Sequence, residues 1–227
     1  MEMTVFRTKV QRAVSEALGE EYSVELREVQ KNNGLLHVVL SDALKKYQYL
    51  DKNERSFISR LVQGTEERKI ELDYIIDSFS KTPVKKQKDV IRIILEMSVY
   101  QLKYMDSVPA SAVCNEAVKL AVKKNFGTLR GFVHGVLRNI ARNIDNIEYP
   151  DKSTNTDKYL SVKYSVPEEL AGYFLKKFGD NETEEMFEAF NKDKSTYIRC
   201  NTKKTDIAGL TAALEAEGVT VTNEGID

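Results

Sequence analysis

Residues 90–102 read Val90-Ile91-Arg92-Ile93-Ile94-Leu95-Glu96-Met97-Ser98-Val99-Tyr100-Gln101-Leu102. At helical spacing, Val90, Ile93, Ile94, Met97, Val99, Tyr100 and Leu102 spread over most of the circumference. A helix apolar over that much of its surface is enclosed by others, so the stretch predicts the central helix of an all-helical bundle. Pro83 and Pro109 fence it, each a stop followed by a fresh start. Working toward the C-terminus, Ala112–Lys124 is expected to be a helix with Val113, Ala117, Leu120 and Ala121 inward. Leu129–Ile144 follows, with Phe132, Val133, Val136, Leu137 and Ile140 inward. Working back, Phe57, Ile58, Leu61 and Val62 recur at helical spacing, and Ile70, Leu72, Ile75, Ile76 and Phe79 continue that apolar stripe. Asp51 with Glu54 has the spacing of a capping box, Gly64 marks a break or a close helix contact, and Ser41 or Asp42 can cap a helix through Tyr47.

The flanks read differently. Met3–Leu18 is an amphipathic helix ended by Gly19. Residues 22–29 alternate, 31–34 (Lys-Asn-Asn-Gly) make a turn, and 35–40 are apolar, which suggests a hairpin or a loop into the next helix. After the bundle, the polar stretch with Pro150 reads as a linker. Glu168–Phe178 and Glu182–Phe190 read as short helices. Tyr197–Asn201 reads as a strand, Ile207–Gly218 as a helix and Val219–Val221 as a second strand, the start of a β-α-β unit. The expected division is 1–35, an atypical N-terminal piece; 36–145, the bundle; 146–158, the linker; and 159–227, part of a small α/β subdomain.

Charge is segregated. Residues 1–80 carry 12 Lys and Arg against 14 Asp and Glu, residues 81–142 carry 12 against 4, and residues 143–227 carry 10 against 17. A block of net charge +8 inside a chain of net charge −1 points to an anionic partner, or else to solvated helix faces. Lys85, Lys86 and Lys88 cluster at a helix start, where the helix dipole does not favour them. Lys119, Lys123 and Lys124 line one helix, and Arg138 and Arg142 stand i, i+4 on the last helix with Arg130 at its start. Grouped cations of this kind suit phosphate neutralisation, and these nine residues are the expected RNA contacts.

Catalytic signals are thin. The only histidines are His37 and His134 and the only cysteines Cys114 and Cys200, with no Gly-rich phosphate loop and no metal-ligand spacing. His134 reads as a packing or surface residue and Cys114 as a small buried one, each without a neighbouring base. No apolar run reaches membrane-spanning length, and Met1–Val10 lacks the apolar core of a secretory signal. Together with the two isolated cysteines this favours a cytoplasmic protein.

Several motifs in order carry a resemblance. Arg55-Ser56-Phe57-Ile58, Leu61-Val62-Gln63-Gly64-Thr65, Leu72-Asp73-Tyr74-Ile75, Tyr100-Gln101-Leu102, Val113–Ala121 and Gly131–Ile140 resemble the helices of NusB-like domains. Ser161-Val162-Lys163-Tyr164-Ser165-Val166-Pro167 and Arg199-Cys200-Asn201-Thr202 then resemble one branch, the RsmB (Sun, Fmu) family of 16S rRNA cytosine-5 methyltransferases. The likeness covers residues 36–222. It departs at His134, where the family usually has Asn, and over the first 35 residues. It implies a mainly α chain: a NusB-like RNA-binding bundle followed by part of a small α/β, ferredoxin-like subdomain. The family's S-adenosylmethionine-binding domain is expected to lie outside this chain, so neither cofactor nor catalytic residue carries over and the chain alone is not expected to be an enzyme. RNA, in particular 16S rRNA, is the implied partner. A free-standing antitermination factor with a ribosomal-protein partner is the alternative, and a protein-interaction bundle a third.

Overall fold

The computed structural model describes residues 36–46, 48–192 and 197–222, which fall into two compact units divided between Phe190 and Asn191. The described residues of the first unit are mainly helical. Its helices are α1 (Leu36–Lys46), α2 (Lys52–Glu67), α3 (Lys69–Phe79), α4 (Asp89–Tyr104), α5 (Ala110–Lys123), α6 (Arg130–Arg142), α7 (Thr156–Tyr164), α8 (Glu168–Phe178) and α9 (Asp180–Asn191).

Helix α4 is the axis. Every residue from Ile93 to Gln101 is buried, and α2, α3, α5 and α6 all pack on it. Leu61, Leu72, Ile75, Ile76, Leu95, Val99, Val133, Leu137 and Ile140 have no solvent exposure and form one continuous core. Burial of that apolar area, at roughly 25 cal/mol per Å², is the main force holding the bundle. Local signals set the helix ends. Glu54 N–H donates to Asp51 Oδ1 at 2.8 Å and Asp51 N–H to Glu54 Oε2 at 2.9 Å, so the capping box forms. Gly64 does not break α2. A Cβ there would overlap the ring of Tyr100, so glycine lets α2 and α4 approach. Helix α5 ends at Asn125, whose φ of 66° is one that asparagine tolerates. Phe126 N–H then donates to the Ala121 carbonyl at 2.8 Å and Asn125 N–H to that of Val122 at 3.0 Å, a Schellman closure.

Three expectations are corrected. Residues 36–40, expected to lie in a hairpin arm or in a loop into the next helix, belong to α1; residues 22–34 and the Met3–Leu18 helix lie outside the described residues. Residues 146–158 do not form a free linker. Tyr149 packs on the bundle, its ring stacked on Tyr74 at 6.5 Å, and its hydroxyl donates to the buried carboxylate of Glu71. Helix α7 then begins at Thr156 and packs on α3. The Ser161–Pro167 motif closes that turn. Ser165 takes a left-handed φ of 56°, and its Oγ accepts from Ile70 N–H at 3.0 Å. Leu160, Tyr164, Ala171 and Phe187 make a second small core under α7, α8 and α9.

The third correction concerns the second unit. It contains α10 (Ile207–Ala216), capped by Asp206, whose Oδ1 accepts from Gly209 N–H at 2.8 Å. The expected strands at Tyr197–Asn201 and Val219–Val221 do not pair, and no strand occurs among the described residues. A strand exists only with a ladder partner, so alternation in these segments yields extended chain. The fold is mainly α, and the α/β ferredoxin-like description does not hold for it.

Candidate nucleic-acid interface

The expected contacts fall into two groups. Lys85 and Lys86 lie in a short 3-10 turn anchored by Val84, which is 3% exposed and whose N–H donates to Asp77 Oδ1 at 2.6 Å. With the anchor inside, both lysines face solvent, as does Lys88 at the cap of α4, and the turn packs on α3. The other six lie on α5, α6 and the end of α5. Arg130, Arg138 and Arg142 are exposed on α6, whose inner face is Val133, Val136, Leu137 and Ile140. Together with His134 they stand four apart, one row along the helix, with successive side chains about 6 Å apart along the axis. Lys119 and Lys123 are exposed on α5, whereas Lys124 caps that helix and is half-buried.

Helices α5 and α6 pack side by side, and an open groove runs between them. Lys119 and Arg130, two of the expected contacts, sit on it with Asn115 and His134, neither of which was singled out as an RNA contact. The signal for His134 is its place in the four-residue row. Lys119 Nζ lies 2.7 Å from Glu116 Oε1, but its side chain is 71% exposed. Such a pair is worth about 0–1 kcal/mol, little against a phosphate.

Other polar clusters are internal. Glu71, 1% exposed, accepts from the hydroxyls of Tyr104 and Tyr149 and lies 3.3 Å from Lys103 Nζ. Lys103 also donates to Tyr149 at 2.7 Å, and Arg68 covers the Tyr104 ring at 5.1 Å. Burial, then the Glu71 carboxylate, pushes the Tyr104 phenol well above its ordinary range. Between α3 and α4, Asp73 and Glu96 face each other. Burial and then the Asp73 charge push Glu96 up to about 8, so at neutral pH the pair shares a proton. Arg92 lies 3.4 Å from Glu96. Around α7–α9, Glu184 takes Lys152, Lys163 at 3.0 Å and the Tyr164 hydroxyl at 3.2 Å. Burial alone would raise Glu184, but hydrogen bonds from Lys152 and Lys163 outweigh it and hold it near about 2.

Cys114 is buried, and burial pushes its thiol up while Arg138 pulls it back. A raised thiol is a poor nucleophile. Among the described residues no three His, Cys, Asp or Glu side chains are placed to hold a metal, and no helix is long and apolar enough to cross a membrane.

Comparison with known proteins settles the family. The model of the NusB family matches residues 11–142. The chain belongs to the NusB family. The match starts at residue 11, inside the 35-residue segment expected to depart from NusB-like domains, so most of that segment follows the family after all. This NusB-family chain is 32% identical over 199 residues to a probable ribosomal RNA small subunit methyltransferase B of Synechocystis sp., which covers 87% of the chain and 44% of the relative. It is 28% identical over 141 residues to the transcription antitermination protein NusB of Bacillus velezensis, 61% of the chain and 99% of that protein. The chain thus spans less than half the length of its methyltransferase relative but nearly all of the antitermination one. The crystal structure of PH0851 shares the fold, with a TM-score of 0.59 and 20% identity over 95% of this chain and 46% of that one.

Proposed function

We propose that the bundle binds RNA through the cationic face of α5 and α6, with the turn at residues 85–88 as a second contact. On this reading it is the RNA-holding part of an RsmB-type 16S rRNA cytosine-5 methyltransferase. The observation that carries it is the exposed row Arg130, Arg138 and Arg142 in the one strongly basic segment of the chain. Three guanidiniums on one helix face neutralise phosphates without reading bases, so affinity is electrostatic and selectivity comes from RNA shape.

Two observations favour the methyltransferase reading over free-standing antitermination. Similarity to the methyltransferase runs through 87% of the chain, and α7–α9 pack as a continuation of the bundle. A ribosomal-protein partner belongs to the antitermination reading. No cofactor is proposed for these residues, and the S-adenosylmethionine of the methyltransferase reading is expected to belong to a catalytic domain outside them. With the Cys114 thiol buried and raised, the 227 residues are expected to bind rRNA and transfer no methyl group. Labelled methyl appearing in rRNA on incubation with this chain would contradict that.

The double reversal Arg138→Glu, Arg142→Glu tests the RNA face. It should weaken binding to a 16S fragment at least tenfold and lower the slope of log affinity against log salt by about 1.5 to 2, the release from two phosphates. Unchanged affinity would remove the α6 row from the interface.

A further inference from the structure

Helices α3 and α4 meet over a buried pair of acids. Glu96 on α4 has no solvent exposure, and neither of its carboxyl oxygens has a hydrogen-bond partner among the described residues. Oδ1 of Asp73, on α3, is buried without one as well. Buried carboxylates left without donors are costly, and one proton shared between the two acids satisfies both. Lys69 on α3 and Arg92, one turn before Glu96 on α4, are the cations beside the pair, and Asp77 adds a negative charge one turn further along α3. Helices α2, α5 and α6 also pack on α4, and of their buried residues only Cys114 can titrate.

The same two helices carry the lysine turn between them. Asp77, about 6 Å along α3 from Asp73, accepts the Val84 N–H and ties the turn to α3. Lys88 caps α4 at the other end, its carbonyl accepting from Arg92 N–H at 3.0 Å. Between these ties the chain is stiff. Lys86 N–H donates to the Pro83 carbonyl at 2.8 Å, Gln87 N–H to that of Val84 at 3.0 Å, and the Gln87 side chain to that of Thr82 at 2.9 Å. A connector this short and this internally bonded cannot absorb a shift between α3 and α4, so Lys85 and Lys86 move with the helices.

We infer that the Asp73–Glu96 pair is a proton-held clamp that keeps the lysine turn in the geometry that meets RNA, so that losing the shared proton weakens RNA binding. Without the proton, two carboxylates face each other at low dielectric and push α3 and α4 apart. Lys69 and Arg92 offset part of that repulsion, but burial and the Asp73 charge outweigh them and hold Glu96 up at about 8. The lysines of the turn stay charged through this range, so phosphate binding by itself would not change there. The inference rests on the RNA-binding reading above and on its second contact.

The test is fluorescence anisotropy of the full 227-residue chain with a labelled 16S fragment at pH 7 and pH 9, each at several salt concentrations. Affinity should fall about tenfold or more between the two pH values, and the slope of log affinity against log salt should drop by about 1.5 to 2, the loss of two phosphate contacts. Glu96→Gln, neutral at both pH values, should bind equally well at each. Lys85→Ala with Lys86→Ala, which keeps the α6 row, should bind more weakly at pH 7 and lose little more at pH 9. A wild-type affinity that does not change with pH would overturn the clamp and leave the RNA-binding reading standing. So would a fall as steep in Glu96→Gln or in the lysine double variant, which would place the loss elsewhere in the molecule. A wild-type chain that binds the fragment at neither pH would overturn both.

Discussion

Glu96 shows how a buried helix can hold a titratable side chain whose partner its own sequence neighbourhood does not report. Its neighbours Val90–Leu102 announce a buried helix, and a carboxylate in that run invites a partner, yet the partner, Asp73, lies on another helix. With its carboxyl held up at about 8 against an ordinary 4.5, Glu96 keeps a proton in the native state that the unfolded chain has lost. Stability should therefore fall as pH rises from about 4.5 through 8. Glu96→Gln keeps a neutral donor at all pH, so the variant should melt near wild type at pH 5 and above it at pH 9. A wild-type melting temperature that does not fall across this range would contradict the shared proton. Gly64 makes a similar point about space. Glycine in a helical stripe signals a break or a close approach, and Tyr100 of α4 decides for approach. Gly64→Ala should cost about 1–3 kcal/mol by overpacking, read as a lower denaturant midpoint.

Elements with strong periodicity were legible. Helices α2 to α6, α8 and α9 follow from apolar stripes, and Asp51, Pro83 and Pro109 place ends within a few residues. Helix α7 was not legible, because it buries Leu160, Ser161, Val162 and Tyr164 in near succession rather than on one stripe. The segment before it was taken for a linker because it is polar. Its attachments are long-range: Tyr149 bonds a carboxylate 78 positions earlier and the Glu148 carbonyl accepts from the Tyr74 hydroxyl at 3.0 Å, and no local pattern reports such distant contacts. Tyr149→Phe should lower stability by about 1.5–3 kcal/mol, the worth of a hydrogen bond to a charged group, as measured by urea unfolding. Glu184, on α9, pins α7 and the segment before it with the opposite pH sense. Its carboxyl is held near about 2, so its contribution is present above about 4.5 and is lost as pH falls toward 2. Amide exchange in residues 156–190 should accelerate over that interval in wild type and show less pH dependence in Glu184→Gln. The strands expected at 197–201 and 219–221 failed for a related reason, since alternation shows which face a segment could bury and not whether a partner strand is there.

At the scale of the molecule, family and charge were both legible in the sequence, but from different features. The ordered motifs identified the NusB family, and several of them turn out to be structural. Gly64 serves a helix crossing, and Ser161–Pro167 closes the turn between α7 and α8. The cations that would meet RNA lie outside most of those motifs, on solvent faces that packing does not constrain. The sequence therefore located the positive block and left its shape open. The fold resolves the block into a row on α6, a groove beside it and a separate lysine turn at 85–88.

Filter retention of RNA by the 227-residue chain at about 50 and about 200 mM salt tests this most directly, with a 16S fragment set against an unrelated RNA of the same length. A cationic face meeting several phosphates predicts binding that weakens by orders of magnitude between the two salts and favours the rRNA fragment at both. Retention of neither RNA at the lower salt would contradict the account and leave a helical bundle whose basic face serves something other than RNA.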